Sequence, residues 1–246
     1  MNKKILKKVN QDFFKNWTHN MAYILGFFIA DGCVTVSKGR ENNPYTFNIT
    51  SVDLDHLEKI KNVLESEHKI SKKQIGKKGY QIQVRNQVLC NDLINLGIRP
   101  RKTYNLGPIE IPREYFSDFV RGFFDGDGSV YIYNVNKTLQ IKVGFVCVSL
   151  KFLKNFNIKL CEALRISKKS IHRLQSSNGH MPQYSICFYV DDSKKLEKFM
   201  YGNNPNLHLD RKKDVFDRWK LIKRRRYKKG NYPSKIGWRL NEGVAG

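Results

Sequence analysis

Acidic residues are scarce in this chain: 22 Asp and Glu stand against 45 Lys and Arg over 246 residues, a formal net charge of +23. A folded chain so unbalanced repels itself unless a polyanion lies against it. Nucleic acid is the expected partner, since each neutralised phosphate also releases condensed counterions. Cysteines are few and odd in number, and Cys33, Cys90, Cys147, Cys161 and Cys187 never fall as Cys-x-x-Cys. That spacing argues against structural zinc and a disulfide framework, and fits an intracellular, reduced protein. Long apolar runs are absent. The opening Met1-Asn-Lys-Lys-Ile-Leu-Lys-Lys8 has the charge of a secretion signal, but Asn10, Gln11 and Asp12 follow where an apolar stretch is required. No segment is long enough to span a bilayer, so the expected location is the cytoplasm or an organellar matrix. The six histidines are scattered, with no pairing suited to a histidine-metal nuclease. Aromatic residues reach 12%, which sets aside a disordered basic tail. Composition leaves two classes open, a basic binder without chemistry and an enzyme acting on nucleic acid.

What the chain does contain is a repeat. Ile24-Leu-Gly-Phe-Phe-Ile-Ala-Asp-Gly32 is echoed by Val120-Arg-Gly-Phe-Phe-Asp-Gly-Asp-Gly128, with Asp31 and Asp127 96 positions apart. A second echo, Ile70-Ser-Lys-Lys-Gln-Ile75 and Ile166-Ser-Lys-Lys-Ser-Ile171, has the same 96-position offset and is taken as register for a duplication. Strand-like alternation follows each motif, over 34–37 and 45–52 and again over 130–133 and 139–148. Helical spacing comes next, at Leu54, Leu57, Ile60 and Leu64 and at Phe152, Phe156, Leu160 and Leu164. Further strands, 81–85 and 183–190, and more helix complete an αββαββα order in each half. The expected division is a first repeat over 1–105 with its N-terminal extension and a Pro-containing linker over 106–112. A second repeat over 113–222 and a basic tail over 223–246 follow.

Each motif reads as a short apolar helix stopped by a glycine, Gly32 or Gly128, in the position that favours a left-handed cap. Gly26 and Ala30, like Gly122 and Gly126, stand four apart on one helical face, small enough for two helix backbones to approach. Packed together, the helices would end side by side, each with an aspartate at a terminus that already carries partial negative charge. One Asp-Gly is ordinary turn chemistry. Two copies at equal offset in a strongly basic chain point instead to a shared divalent metal, hard carboxylate and carbonyl oxygens suiting Mg²⁺.

These two segments resemble the paired signature of the LAGLIDADG homing endonucleases, specifically the single-chain, two-repeat kind, and the resemblance covers roughly residues 20 to 220. It implies an α+β fold in which two pseudo-symmetric αββαββα repeats form a DNA-binding β-saddle, with the motif helices packed at their interface. It implies a site-specific double-stranded DNA endonuclease that serves intron homing, hydrolyses one phosphodiester per strand and leaves short 3′ overhangs. The final acidic residue of each motif would bind catalytic Mg²⁺, hence Asp31 and Asp127, with backbone carbonyls from Ala30 and Gly126. Mn²⁺ is expected to substitute, and Ca²⁺ to bind without efficient cleavage. Ile29 departs from the usual acidic residue at its place, which Asp125 keeps. A lysine near each site, by resemblance Lys102 and Lys212, would polarise the phosphate or the attacking water.

The implied saddle lies in the major groove, and strands of about ten residues at ~3.3 Å each make two repeats read roughly two turns, on the order of 20 base pairs. The candidate readers are Thr35, Ser37, Asn48, Thr50, Gln81, Gln83 and Arg85 in the first repeat. In the second they are Tyr131, Tyr133, Gln140, Lys142, His172, Arg173, Gln175, Gln183 and Ser185. The cluster Lys223-Arg-Arg-Arg-Tyr-Lys-Lys229 reads as a phosphate-tracking or mobile tail. The alternatives are an RNA maturase of the same fold, for which RNA would be the partner, and an inactive DNA-binding regulator. Glu67-His-Lys69 with Asp55 mimics an acidic metal-nuclease motif only weakly.

Because one chain holds both motifs, it should act as a monomer. Thr35 and Ser37 stand where the second repeat has Tyr131 and Tyr133, so the half-sites should differ. Light scattering of the purified complex should give one chain per cleavable duplex; a mass of two chains would contradict this.

Overall fold

The computed structural model describes residues 7–37, 44–73, 79–100, 106–175 and 181–228, with side chains as far as residue 222. The first repeat runs α1 (His19–Asp31), β1 (Gly32–Val36), β2 (Tyr45–Ser51), α2 (Leu54–Val63), β3 (Ile70–Lys72), β4 (Tyr80–Val84) and α3 (Gln87–Asn95). After a 3-10 turn at Arg113–Tyr115, the second runs α4 (Phe116–Asp127), β5 (Gly128–Val135), β6 (Thr138–Cys147), α5 (Leu150–Leu164), β7 (His172–Leu174), β8 (Gln183–Tyr189) and α6 (Val190–Tyr201). A last helix, α7 (Asp210–Lys228), follows. Each repeat folds one four-stranded antiparallel sheet, in the orders β1-β2-β4-β3 and β5-β6-β8-β7. No helix among the described residues is long and apolar enough to cross a membrane.

Local sequence accounts for these elements. Thr18, Asn86 and Ser149 cap α1, α3 and α5, accepting the backbone N–H groups of Met21, Leu89 and Phe152 at 3.0, 3.0 and 3.2 Å; such caps contribute about 1 kcal/mol each. In the strands, alternate residues go to the core. Phe47, Ile49, Ile82 and Val84 are fully buried in the first sheet, as are Ile141, Val143, Phe145, Ile186 and Phe188 in the second. Every second residue between them is left on the opposite face.

The motif helices α1 and α4 lie against each other at the centre. From Met21 to Ile29, α1 is buried on every side, as expected of a helix apolar all round. The contact leaves no room for a side chain. A Cβ on Gly122 would strike the carbonyl oxygen of Tyr23 and stand 2.9 Å from the Phe27 nitrogen. One on Gly26 would strike the carbonyl of Phe119 and stand 2.8 Å from the Phe123 nitrogen, and one on Gly126 would strike the Ala30 methyl.

Three expectations are corrected. Neither Gly32 (φ −100°, ψ 164°) nor Gly128 (φ −81°, ψ 157°) is left-handed; each helix passes straight into an extended strand. Glycine is required there for space, because a Cβ would collide with the ring of Phe28 or Phe124 four residues back. The Ile70 and Ile166 echo is not a structural equivalence. Residues with positive φ end α2 and α5 alike, Glu65 (50°) and Arg165 (52°), but they stand 100 positions apart, so α5 has gained about one turn. Ile70 opens β3, whereas Ile166 precedes β7 by several residues. Finally, the segment read as a tail from 223 is helical through Lys228.

The close approach predicts an unequal response to adding methyl groups. Gly122→Val should lower stability by at least about 3 kcal/mol, because backbone stands in the way. Gly107→Ala, with nothing within 4 Å of the new Cβ, should stay within about 0.5 kcal/mol. Urea unfolding of both variants checks the contrast.

Candidate active site

Asp31 and Asp127 are the last residues of α1 and α4, and both are exposed while their helices are buried. Neither helix has a basic residue in its last turn. The packing of Gly126 on Ala30 brings the two ends together. An Asp31 carboxylate oxygen lies 3.5 Å from the place of a Cβ on Gly126, the residue before Asp127. Beside them a cavity of about 200 Å³ is lined by Ala30, Asp127, Ser149 and Gln183, among others. Two like charges at two converging negative helix ends are unfavourable without a cation.

One cation is built in. Lys212, from the first turn of α7, is buried beneath the end of α4. Its ammonium donates to the carbonyls of Phe124 (2.7 Å), Asp125 (2.8 Å), Gly126 (3.2 Å) and Gly128 (2.6 Å). It thereby satisfies carbonyls that a helix end leaves open. Burial pushes its pKa down to about 8, and the carboxylates of Asp125, Asp31 and Asp127 pull the other way. The sequence reading placed Lys212 at the phosphate or the attacking water. In this arrangement its protons are directed into the protein, toward main-chain oxygen. Lys102 lies outside the described residues.

Asp125 is one of two places where the second motif has a charged residue for an apolar one, the other being Arg121 for Leu25, and it anchors a buried network. Its Oδ2 accepts from the Tyr23 hydroxyl at 2.7 Å and from the Leu209 N–H at 2.8 Å. The same hydroxyl lies 3.0 Å from His56 Nε2 of α2. Burial raises Asp125 to about 6, against the hydrogen bond from Tyr23, and lowers His56 to about 4. Arg121 bonds the Leu207 and Met200 carbonyls at 3.0 and 2.9 Å and the Asp118 carboxylate at 2.6 Å. Together these contacts fix the segment that leads into α7, and so the position of Lys212. Tyr23, His56, Arg121 and Asp118 were not anticipated from sequence; the available signals were the exchanges of Ile29 for Asp125 and of Leu25 for Arg121 at matching places.

Strand register sorts the residues read as DNA-facing. Thr35 pairs with Thr46, Asn48 with Gln83 and Thr50 with Gln81, so these share the face turned from the helices. Arg85 lies just past β4 and is exposed; Ser37 extends the hairpin, its N–H bonding the Pro44 carbonyl at 2.8 Å. In the second sheet Tyr131 pairs with Lys142, Tyr133 with Gln140, His172 with Ser185 and Leu174 with Gln183, again on one face. Arg173 is a correction: it pairs with Tyr184 and so stands on the other face from His172, since neighbouring strand residues alternate. Gln175 falls beyond the end of β7, and Ser185 is buried though on the polar face. Cys33, Ser71, Ser129, Cys187 and Tyr189 also occupy the polar faces by register, and had not been singled out.

Comparison with known proteins agrees with this architecture. Residues 18–95 match the family model of the LAGLIDADG-like domain. The LAGLIDADG homing endonuclease I-GzeII, in complex with its DNA target, superposes with a TM-score of 0.56 at 14% identity, covering 84% of this chain and 91% of that one. I-LtrWI bound to target DNA gives 0.55 at 15%, covering 89% and 92%. I-DmoI in complex with DNA and Ca gives 0.51 at 16%, covering 81% and 94%. No curated protein matches the sequence. The first repeat is thus a LAGLIDADG-like domain, and the chain as a whole has the fold of LAGLIDADG homing endonucleases, with both repeats in one polypeptide.

Replacing Lys212 by Met should leave the α4 carbonyls without their donor and Asp125 without its nearest cation, a loss of about 3–5 kcal/mol. The wild-type protein should also gain stability as pH rises from about 8 toward the ordinary lysine value of 10.5, because the folded state binds fewer protons there than the unfolded chain. Urea midpoints measured across that range should show the gain in the wild type and lose it in the Met variant.

Proposed function

We propose that this chain is a homing endonuclease that cuts double-stranded DNA at a specific site. It hydrolyses one phosphodiester on each strand of a long asymmetric target and leaves short 3′ overhangs. The observation that carries this reading is the meeting of two exposed, helix-terminal carboxylates, Asp31 and Asp127, at the seam between two polar sheet faces. The DNA complexes of endonucleases with the same fold support it.

The residues fit a hard divalent cation such as Mg²⁺. Asp31 and Asp127 offer carboxylate oxygens, and Ala30 and Gly126 offer carbonyls at helix ends that lack a basic residue in the last turn. Lys212 makes the longest of its four contacts to the Gly126 carbonyl, 3.2 Å, and so engages it least. Among the described residues no three His, Cys, Asp or Glu cluster around a point, which leaves most positions of an octahedral ion to phosphate and water. Ca in a DNA complex of I-DmoI supports a divalent cation at such a site. Bound there, the ion supplies Lewis acidity toward the phosphoryl oxygens. The chain's own part is positioning. The α1–α4 contact fixes the separation of the two carboxylates, so both strands meet equivalent groups across the seam. Lys212 neutralises the α4 end from beneath, and the two sheets hold the duplex in register above.

Asp31→Asn and Asp127→Asn should each cut the rate of double-strand cleavage at least about a hundredfold. Affinity should change by less than about threefold, because binding is spread over many contacts. Cleavage and electrophoretic-shift assays on one target separate the two effects; wild-type rates in both variants would falsify the assignment. Calcium in place of magnesium should keep binding and abolish efficient cleavage, its longer and looser bonds losing the reacting geometry; equal turnover with either ion would contradict the mechanism.

A further inference from the structure

The polar face of the second sheet carries a row that the first lacks. Tyr131 of β5 stands opposite Lys142 of β6, and Lys142 stands opposite Tyr189 of β8. The Lys142 ammonium lies 5.8 Å from the centre of the Tyr131 ring and 5.5 Å from that of Tyr189. Both tyrosines are about half exposed, 45% and 54%. A lysine held between two rings has already given up part of its rotamer freedom, so less is lost when it binds. The neighbouring Tyr131 hydroxyl holds the amine above the ordinary lysine range. The matching row of the first sheet, Thr35 opposite Thr46, has neither lysine nor aromatic ring, and Arg85 follows it just past the end of β4.

We propose that Lys142 is a specificity-determining residue that reads a guanine in the half-site contacted by the second repeat, with Tyr131 and Tyr189 fixing its ammonium. The inference rests on the DNA-cutting role proposed above. An ammonium has donors and no acceptor. In the major groove guanine alone presents two acceptors, N7 and O6, whereas adenine and cytosine display an amino donor that repels it. Thymine presents one acceptor and a methyl, and the flanking tyrosine rings are suited to cover such a methyl on a neighbouring base. A phosphate contact is the competing role for any surface lysine. Lys142, however, is on an interior strand with side chains on both flanks, in the middle of the face rather than at its rim.

The test is a binding selection with the full chain on a duplex library randomised over the target, in magnesium-free buffer containing calcium, with bound sequences read out. Wild-type protein should fix a G·C pair at one position of one half-site. Lys142→Met should admit all four bases there, leave preferences elsewhere unchanged, and lower affinity for the guanine-containing site about tenfold. Tyr189→Leu should weaken the guanine preference several-fold although the charge remains. If Lys142→Met lowers affinity equally for all sequences, the lysine contacts phosphate and the proposal fails. It fails as well if the guanine survives that substitution, while the endonuclease reading stands. A wild-type protein that selects no sequence at all overturns both.

Discussion

The separation of α1 and α4 is the constraint on which the rest of the molecule hangs. Gly122 and Tyr23, like Gly26 and Phe119, meet backbone to backbone with no side chain between them. Interiors are packed too densely to absorb an extra methyl at such a point without moving whole helices. Because α1 and α4 run directly into β1 and β5, that one distance sets the spacing of the two sheets as well as that of Asp31 and Asp127. The same contact therefore fixes where the duplex would be held and where it would be cut. Gly32 and Gly128 transmit it rigidly: with no left-handed turn at the junction, strand direction follows helix direction.

Close packing creates an electrostatic difficulty that the two repeats meet differently. Two helix ends and two carboxylates converge, and on the α4 side Lys212 is buried against four main-chain oxygens. Holding an ammonium there is costly unless it is fully bonded, and Asp125 supplies the nearby negative charge. Asp125 in turn is held by Tyr23 from the opposite repeat, so the environment of one half-site is tied to the other across the seam. Arg211 and Lys59 add exposed cross-repeat pairs with Asp53 and Asp210, at 3.1 and 2.9 Å; exposed pairs of this kind contribute little. The buried network is what orders the start of α7.

Much of this was legible in sequence, for identifiable reasons. Period-2 alternation in 45–50 and 139–143 specified both strand and face, so Asn48 and Thr50 fell together, as did Gln140 and Lys142. The four-residue spacing of small residues forecast the helix contact. The glycine conformations were misjudged because a terminal glycine suits both a left-handed cap and a steric gap, and only the place of the Phe28 ring distinguishes them. The false equivalence of Ile70 and Ile166 came from a string match that an added helical turn had displaced. Arg173 was grouped with His172 because both are polar, although neighbours in a strand cannot share a face. Lys212 and the Asp125 network were hidden for a different reason. The hydrogen-bond partners of Lys212 and Asp125 are 84 or more positions away, and no local pattern encodes those.

The distribution of charge bears on how such a molecule would separate affinity from specificity. The chain has 45 Lys and Arg, yet the strand residues on the first polar face, Cys33, Thr35, Thr46, Asn48, Thr50, Ser71, Gln81 and Gln83, include none. The second has Lys142 alone among its basic strand residues, besides His172. Among the described residues most of the remaining positive charge lies off these strand faces, as at Lys59 of α2 and Arg211 of α7. Phosphate contacts bind every sequence alike, so a reading face crowded with lysine would raise affinity for wrong sites as much as for the right one. Strand faces so close to neutral would leave discrimination to hydroxyls, amides and few cations, Lys142 within β6 and Arg85 just past β4, while charge elsewhere would hold the duplex in place.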